Sequence, residues 1–195
     1  EMGLPIQQLV IATNQNDILH RTLETGSYSK SGVTPSISPS MDIQVSSNFE
    51  RLLFDLYDRD GAAVARQMDD LANTGSFKIS QGALQRLRDG FASGRASEDE
   101  TLATISAIRA TTGEVLCPHS AVGVKVAADH LDATPMITLA TAHPAKFPDA
   151  VENATKDRPP LPNRMADLYD RSERLTQVPN DLAAVENLIR GRRQT

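Results

Sequence analysis

The run from Met136 to Phe147, Met-Ile-Thr-Leu-Ala-Thr-Ala-His-Pro-Ala-Lys-Phe, limits what this chain can fold into more than any other stretch. Pro135 opens it, and Met136, Ile137, Thr138 and Leu139 suit a pleated, buried strand. Pro144 has no amide hydrogen to give a ladder, so strand pairing must stop near Thr141. Helical signals resume at Phe147-Pro148-Asp149-Ala150-Val151. A strand, a short polar loop and a helix make half of a βαβ unit, and open α/β sheets bind ligands beyond the carboxyl ends of such strands. Thr141, Ala142 and His143 are therefore expected at a ligand crevice.

A second apolar run, Ile6 to Ala12, predicts another strand, which enters the polar loop Thr13-Asn14-Gln15-Asn16-Asp17 ahead of a helix beginning near Ile18. Parallel packing of the two strands puts Asn14 to Asp17 and Thr141 to Lys146 on one edge of the sheet. The Asn and Asp side chains suit helix caps as well as ligand contacts, and spacing leaves both readings open. Both strands are apolar at nearly every position, a pattern that demands cover on two faces.

Ser31 to Val45 is rich in Ser, Pro and Gly and reads as a long loop, a class often tied to function. Ser47 and Glu50 have capping-box spacing at the start of a helix carrying Phe49, Leu52, Leu53 and Leu56, whose first amides suit a phosphate. Gly61 to Gly113 reads as helical, an insertion covering a sheet edge. One helix there ends at Asn73-Thr74-Gly75, a second carries Leu84, Leu87 and Phe91 to Gly94, and a third is boxed by Ser97 and Glu100. The expected divisions are thus residues 1–60 in a large α/β domain, the insertion 61–113, and 114–195 as the remainder of that domain with C-terminal helices. Cys117-Pro118-His119-Ser120 opens another helix. Residues two or three apart at a helix entrance rarely aim at one another, so a cap is expected there rather than a nucleophile. Asn180 is placed to cap a last helix ending at Gly191.

Composition removes several functional classes. Net charge is -5 with a pI near 5.4, which leaves no electrostatic footprint for nucleic acid or an anionic membrane. No apolar run approaches the ~20 residues a bilayer span needs. One cysteine cannot close an internal disulfide, which fits the cytoplasm. His20, His119, His130 and His143 lack metal-ligand spacing.

Four blocks carry a resemblance: Ile11 to Leu19 (Ile-Ala-Thr-Asn-Gln-Asn-Asp-Ile-Leu), Ser38 to Arg51 (Ser-Pro-Ser-Met-Asp-Ile-Gln-Val-Ser-Ser-Asn-Phe-Glu-Arg), Pro118 to Gly123 (Pro-His-Ser-Ala-Val-Gly) and Thr141 to Phe147. In order, and over nearly the whole chain, they resemble the longer microbial and fungal form of threonine synthase. The resemblance implies a three-layer α/β fold with a mostly parallel sheet, part of the tryptophan-synthase-like, fold type II pyridoxal-phosphate enzymes. It implies conversion of O-phospho-L-homoserine and water to L-threonine and phosphate. Thr141 is the implied partner of the cofactor's pyridine nitrogen, and Asn14, Asp17, Ser47, Asn48 and Lys146 are candidates for the substrate pocket. Lys30, Lys78, Lys125, Lys146 and Lys156 match no Schiff-base motif. That lysine and the cofactor's phosphate loop are expected upstream, with this chain the C-terminal portion, inactive alone and a partner to the upstream portion. Glu1-Met2-Gly3 suits the last turn of an upstream helix. A different fold type II lyase and a non-catalytic binding domain are the other two classes.

Overall fold

The computed structural model describes residues 3–192. The chain divides into two compact units, Glu1–Pro160 and Leu161–Thr195. The first contains β1 (Leu9–Thr13), α1 (Ile18–Thr25), β2 (Ser27–Ser29), α2 (Phe49–Leu56), α3 (Gly61–Thr74), β3 (Ser76–Lys78), α4 (Gln81–Gly90), β4 (Phe91–Arg95), α5 (Glu98–Thr112), α6 (Pro118–Ala128) and α7 (Pro148–Thr155). Single 3-10 turns cover Pro39–Met41 and Pro144–Lys146. The second unit has turns at Asn163–Met165 and Leu168–Asp170, then α8 (Leu182–Arg192).

β1 forms where expected, and it lies parallel to β4, Leu9 opposite Phe91 through Thr13 opposite Arg95. This corrects the expected pairing of β1 with Met136–Thr141. The latter stretch joins no ladder among the described residues. Half-buried Met136 and Thr138 alternate with Ile137 and Leu139, which are 82% and 76% exposed, the period of an extended chain. It lies along α6, because a Cβ on Gly123 would sit 3.0 Å from the Thr138 methyl.

Residues 61–113 are not helical throughout. They contain β3, antiparallel to β2, and β4. Helix α4 stops at Gly90 instead of running to Gly94, and Phe91 turns into the sheet. A Gly inside a five-residue strand weakens its local signal, but Gly94 is required by packing. A Cβ there would lie 2.8 Å from Cγ1 of Val126, a fully buried side chain of α6. Gly94→Ala is therefore expected to force β4 away from α6 and cost about 1 to 3 kcal/mol. Urea unfolding with an unchanged midpoint would show that this contact is loose.

Two cores flank the parallel pair. One holds Ile18, Leu23, Leu53, Leu71 and Leu87 around Tyr28, whose ring stacks on Phe77 at 5.0 Å and Phe49 at 5.7 Å. The other brings together Ile105, Val122, Val126 and Val151 of α5, α6 and α7, all fully buried. Several ends follow their sequence signals. Gly75 closes α3 in the left-handed conformation, and Ser97 and Glu100 form the reciprocal box that starts α5. Ser47 and Glu50 do not form the expected box. Asn48 is the residue before α2, with no side-chain cap, and its Oδ1 accepts instead from Ser46 Oγ at 2.7 Å. Asp181, not Asn180, receives the Ala184 amide at the start of α8, and that helix continues through Gly191 to Arg192. The helix-end reading of Glu1 and Met2 lies outside the described residues.

Candidate functional site

The carboxyl ends of β1 and β4 lie side by side, and three segments meet near them: the loop Asn14–Asp17, the loop 34–42 and the start of α6. Asp42 ties the first two. Its Oδ1 accepts from Asn14 Nδ2 at 2.7 Å, Asn16 Nδ2 at 2.8 Å and Ser36 Oγ at 2.6 Å, and its Oδ2 accepts from the Ser36 amide at 2.8 Å. Asn14 Nδ2 also faces Ser36 Oγ and Ser38 Oγ, each at 2.9 Å, and Asn14 Oδ1 accepts from the Asn16 amide. A carboxylate receiving four donors fixes a loop that has almost no regular structure of its own.

His119 ties the second loop to the third segment. It is 5% exposed, its Nε2 accepts from the Ser40 amide at 3.1 Å, and its ring lies 4.6 Å from that of Phe147. Burial holds the imidazole below its ordinary pKa, Lys146 adds to this and Asp42 opposes it. A neutral ring accepting at Nε2 carries its proton on Nδ1. Nδ1 has no partner among the described residues.

At the entrance of α6, Cys117 acts as the expected cap, its sulfur accepting from the Ser120 amide at 3.4 Å. Cys117 and Ser120 do face each other, with Sγ and Oγ 3.3 Å apart, and both also face Thr141. Ser120 Oγ accepts from the Thr141 amide at 3.1 Å and lies 3.3 Å from Thr141 Oγ1. Cys117 Sγ lies 3.8 Å from the same oxygen. Burial pushes the thiol up, but hydrogen bonds with Ser120, Thr141 and the Ala142 amide outweigh it, leaving Cys117 below its ordinary pKa. Thr141 is an exposed residue, and its hydroxyl is held by Ser120 and Cys117. Next to it, His143 Nδ1 accepts from the Ala145 amide, and exposed Lys146 has its Nζ 5.8 Å from the Phe147 ring.

Asp17 lies on the same edge and pairs with Arg21 at 2.8 Å and with Arg95, the last residue of β4, at 3.0 Å. Burial raises its carboxyl, but the two guanidinium groups more than offset this and hold it below the usual value. Because the folded group is the more acidic, its pairing stabilises the fold above the unfolded value near 3.8, and this is lost as pH falls through the folded value. Arg95→Met is expected to cost about 1 kcal/mol at neutral pH, Arg95 being largely exposed. The deficit should shrink as pH drops below about 4. A deficit that stays constant from pH 7 to 3 would show that the pair contributes nothing.

Asn14, Asp17, Thr141 and Lys146 thus sit on segments linked through Asp42, Ser40 and His119. No hydrogen bond joins Ser47 or Asn48 to them among the described residues. Asp42, Ser36, Ser120 and Arg95 were not marked by sequence reasoning. The signal was present only in part, as Cys117 and Ser120 three apart at a helix start. A groove of about 480 Å³ beside α2 and the start of α3 is lined by Glu50, Arg51, Phe54, Asp55, Arg59, Gly61 and Val64 and includes none of these groups. Among the described residues no His, Cys, Asp and Glu cluster could hold a metal, and no helix is long and apolar enough to cross a membrane.

Residues 120–189 match the family described as "Threonine synthase, C-terminal". A threonine synthase of Pseudomonas aeruginosa is 47% identical over 191 residues, 96% of this chain. A crystal structure of pyridoxal-phosphate-bound threonine synthase from Brucella melitensis superposes on 97% of the chain with a TM-score of 0.90 and 53% identity. This chain is similar to the C-terminal portion of threonine synthases. The yeast threonine synthase structure matches 97% of it at 37% identity with a TM-score of 0.81. The chain spans about two-fifths of these relatives: 41% of the Pseudomonas protein, 41% of the Brucella chain and 42% of the yeast chain. All four blocks of resemblance to threonine synthase fall inside the first unit, and each supplies residues to the segments linked through Asp42 and His119. The fold is mixed α/β with a parallel pair, as the resemblance implied.

Proposed function

We propose that this chain is the C-terminal part of a cytoplasmic threonine synthase, converting O-phospho-L-homoserine and water to L-threonine and phosphate with pyridoxal phosphate. The observation that carries this reading is the Brucella match at 53% identity over 97% of the chain, together with an exposed Thr141 whose hydroxyl is anchored by Ser120. These residues fit one end of the cofactor. A hydroxyl on an exposed residue suits a pyridine nitrogen, and no carboxylate is among Thr141's hydrogen-bond partners in the described residues. When bound, pyridoxal phosphate supplies an electron sink for the substrate's carbon skeleton.

In this reading Thr141 meets the ring nitrogen with a neutral hydroxyl, which does not force that nitrogen to remain protonated as a carboxylate would. Lys146 stands beside it as an exposed cation for the substrate's phosphate dianion. Ser47 and Asn48, before the first amides of α2, are a second candidate anion contact. Asn14 and Asp17 shape the edge through Asp42 and the two arginines, and reach substrate only through the loop they hold. The Schiff-base lysine and the cofactor's phosphate loop are assigned to the part of the relatives that this chain does not span. That part would also cover Leu4, Ile6, Ile137 and Leu139, which are 60% to 82% exposed. Full-length protein bearing this sequence is expected to release phosphate and form threonine from O-phospho-L-homoserine. Release of phosphate only from a different phosphorylated hydroxy-amino acid would assign it to another lyase of the same fold, and no release from either would remove the enzyme reading.

A further inference from the structure

We propose that Ser120 is a positioning residue for Thr141, turning the Thr141 hydroxyl proton outward to the ring nitrogen of the bound cofactor; this rests on the reading of Thr141 given above. The argument begins with the hydrogens available. Cys117 Sγ accepts the Ser120 backbone amide at 3.4 Å. Its own hydrogen then needs an acceptor, and the nearest is Ser120 Oγ at 3.3 Å, ahead of Thr141 Oγ1 at 3.8 Å. Ser120 Oγ also receives the Thr141 amide at 3.1 Å, so its oxygen is fully used as an acceptor.

The one hydrogen on Ser120 Oγ is left to donate to Thr141 Oγ1, 3.3 Å away. Thr141 Oγ1, having accepted from behind, keeps its hydrogen for whatever faces its open side. Thiol, hydroxyl and hydroxyl thus point one way, from the buried end of α6 to the surface. Cys117 and Ser120 are 1% and 4% exposed, so water does not offer them other partners. Hydrogen bonds in such a chain polarise one another, which makes the outermost hydroxyl a better donor than a lone threonine. A donor at that place suits an unprotonated pyridine nitrogen.

The test is a double-mutant cycle in the full-length protein, reading the dissociation constant for pyridoxal phosphate, the visible absorbance maximum of the bound cofactor, and kcat apart from KM. Ser120→Ala should weaken cofactor binding about 3- to 10-fold, shift the absorbance maximum and lower kcat more than it changes KM. In a Thr141→Val background the same change should add less than about twofold, because the hydroxyl it orients is gone. Ser120→Cys, nearly isosteric but a weaker donor and acceptor, gives an intermediate effect and serves if Ser120→Ala does not fold. Equal losses in both backgrounds would mean that Ser120 only holds the chain, and the inference would be overturned. So would an unaltered Ser120→Ala or Ser120→Cys protein beside a weakened Thr141→Val protein, a result that leaves the Thr141 reading intact. An unaltered Thr141→Val protein overturns both.

Discussion

Thr141→Val in the full-length protein should lower turnover by about 10- to 100-fold while the protein stays folded. Valine keeps the branched shape at Cβ and puts a methyl where the hydroxyl was. The Thr141 amide still reaches Ser120 Oγ, so the end of the extended segment should hold its place. What is lost is the Ser120 hydroxyl contact to Thr141 Oγ1 and the hydrogen bond from that oxygen to the ring nitrogen proposed to lie there. An unsatisfied group of that kind costs about 1 to 3 kcal/mol, which on the transition-state scale is about one to two powers of ten in rate. The cofactor's visible spectrum should change with it. Turnover and spectrum both matching the parent would place the ring elsewhere, and the assignment of this edge as the site would go with them.

Asp42→Ala is expected to be the most damaging polar change for stability. One side chain accepts from Asn14, Asn16, the Ser36 hydroxyl and the Ser36 amide, all between 2.6 and 2.8 Å. Removing it takes an acceptor from four donors, two of them on the buried residues Asn14 and Asn16, which keep Ser38 Oγ and the Thr34 carbonyl as further partners. With hydrogen bonds to charged groups worth about 1.5 to 3 kcal/mol each and partial rescue by water, a net loss of about 3 to 4 kcal/mol follows. Asp42→Asn should recover little, because its amide would present a donor where the Ser36 N–H already points. Chemical denaturation gives the value directly. A loss under about 1 kcal/mol would mean that the loop 34–42 holds itself through its turns and prolines alone.

What could be seen in the sequence was what depends on neighbours along the chain. The Ser97 and Glu100 pair, Gly75 after α3, and Pro118 behind a capping Cys117 are each fixed within four residues, and each forms in the structure. The Ser47 and Glu50 pair has the same spacing and fails: Asn48, not Ser47, precedes α2, and its side-chain oxygen is taken by the Ser46 hydroxyl. Strand β4 was hidden for a different reason. Phe-Ala-Ser-Gly-Arg has weak strand propensity, and its glycine is present to admit Val126, a contact with a residue more than thirty positions away. Conversely, Met136–Thr141 has the local character of a strand and no ladder partner among the described residues, so propensity pointed to a pairing that tertiary contacts alone decide. The candidate site shows the same division. Thr141 could be singled out at a strand-like end before a proline, whereas Asp42 and Ser120 are defined by bonds crossing some 20 to 30 residues.

The β1 and β4 pairing also sets a clock. Leu9 meets Phe91, so about eighty residues separate the two strands of the one parallel ladder described. Contacts of such high sequence separation form late, after the local helices and the β2 and β3 pair have shortened the loop to be closed. During synthesis at roughly 5 to 20 residues per second, β1 emerges about 4 to 16 seconds before its partner exists. Throughout that interval Leu9, Val10 and Ile11 are an unpaired apolar strand, the kind of segment that nascent chains expose to aggregation or to chaperones.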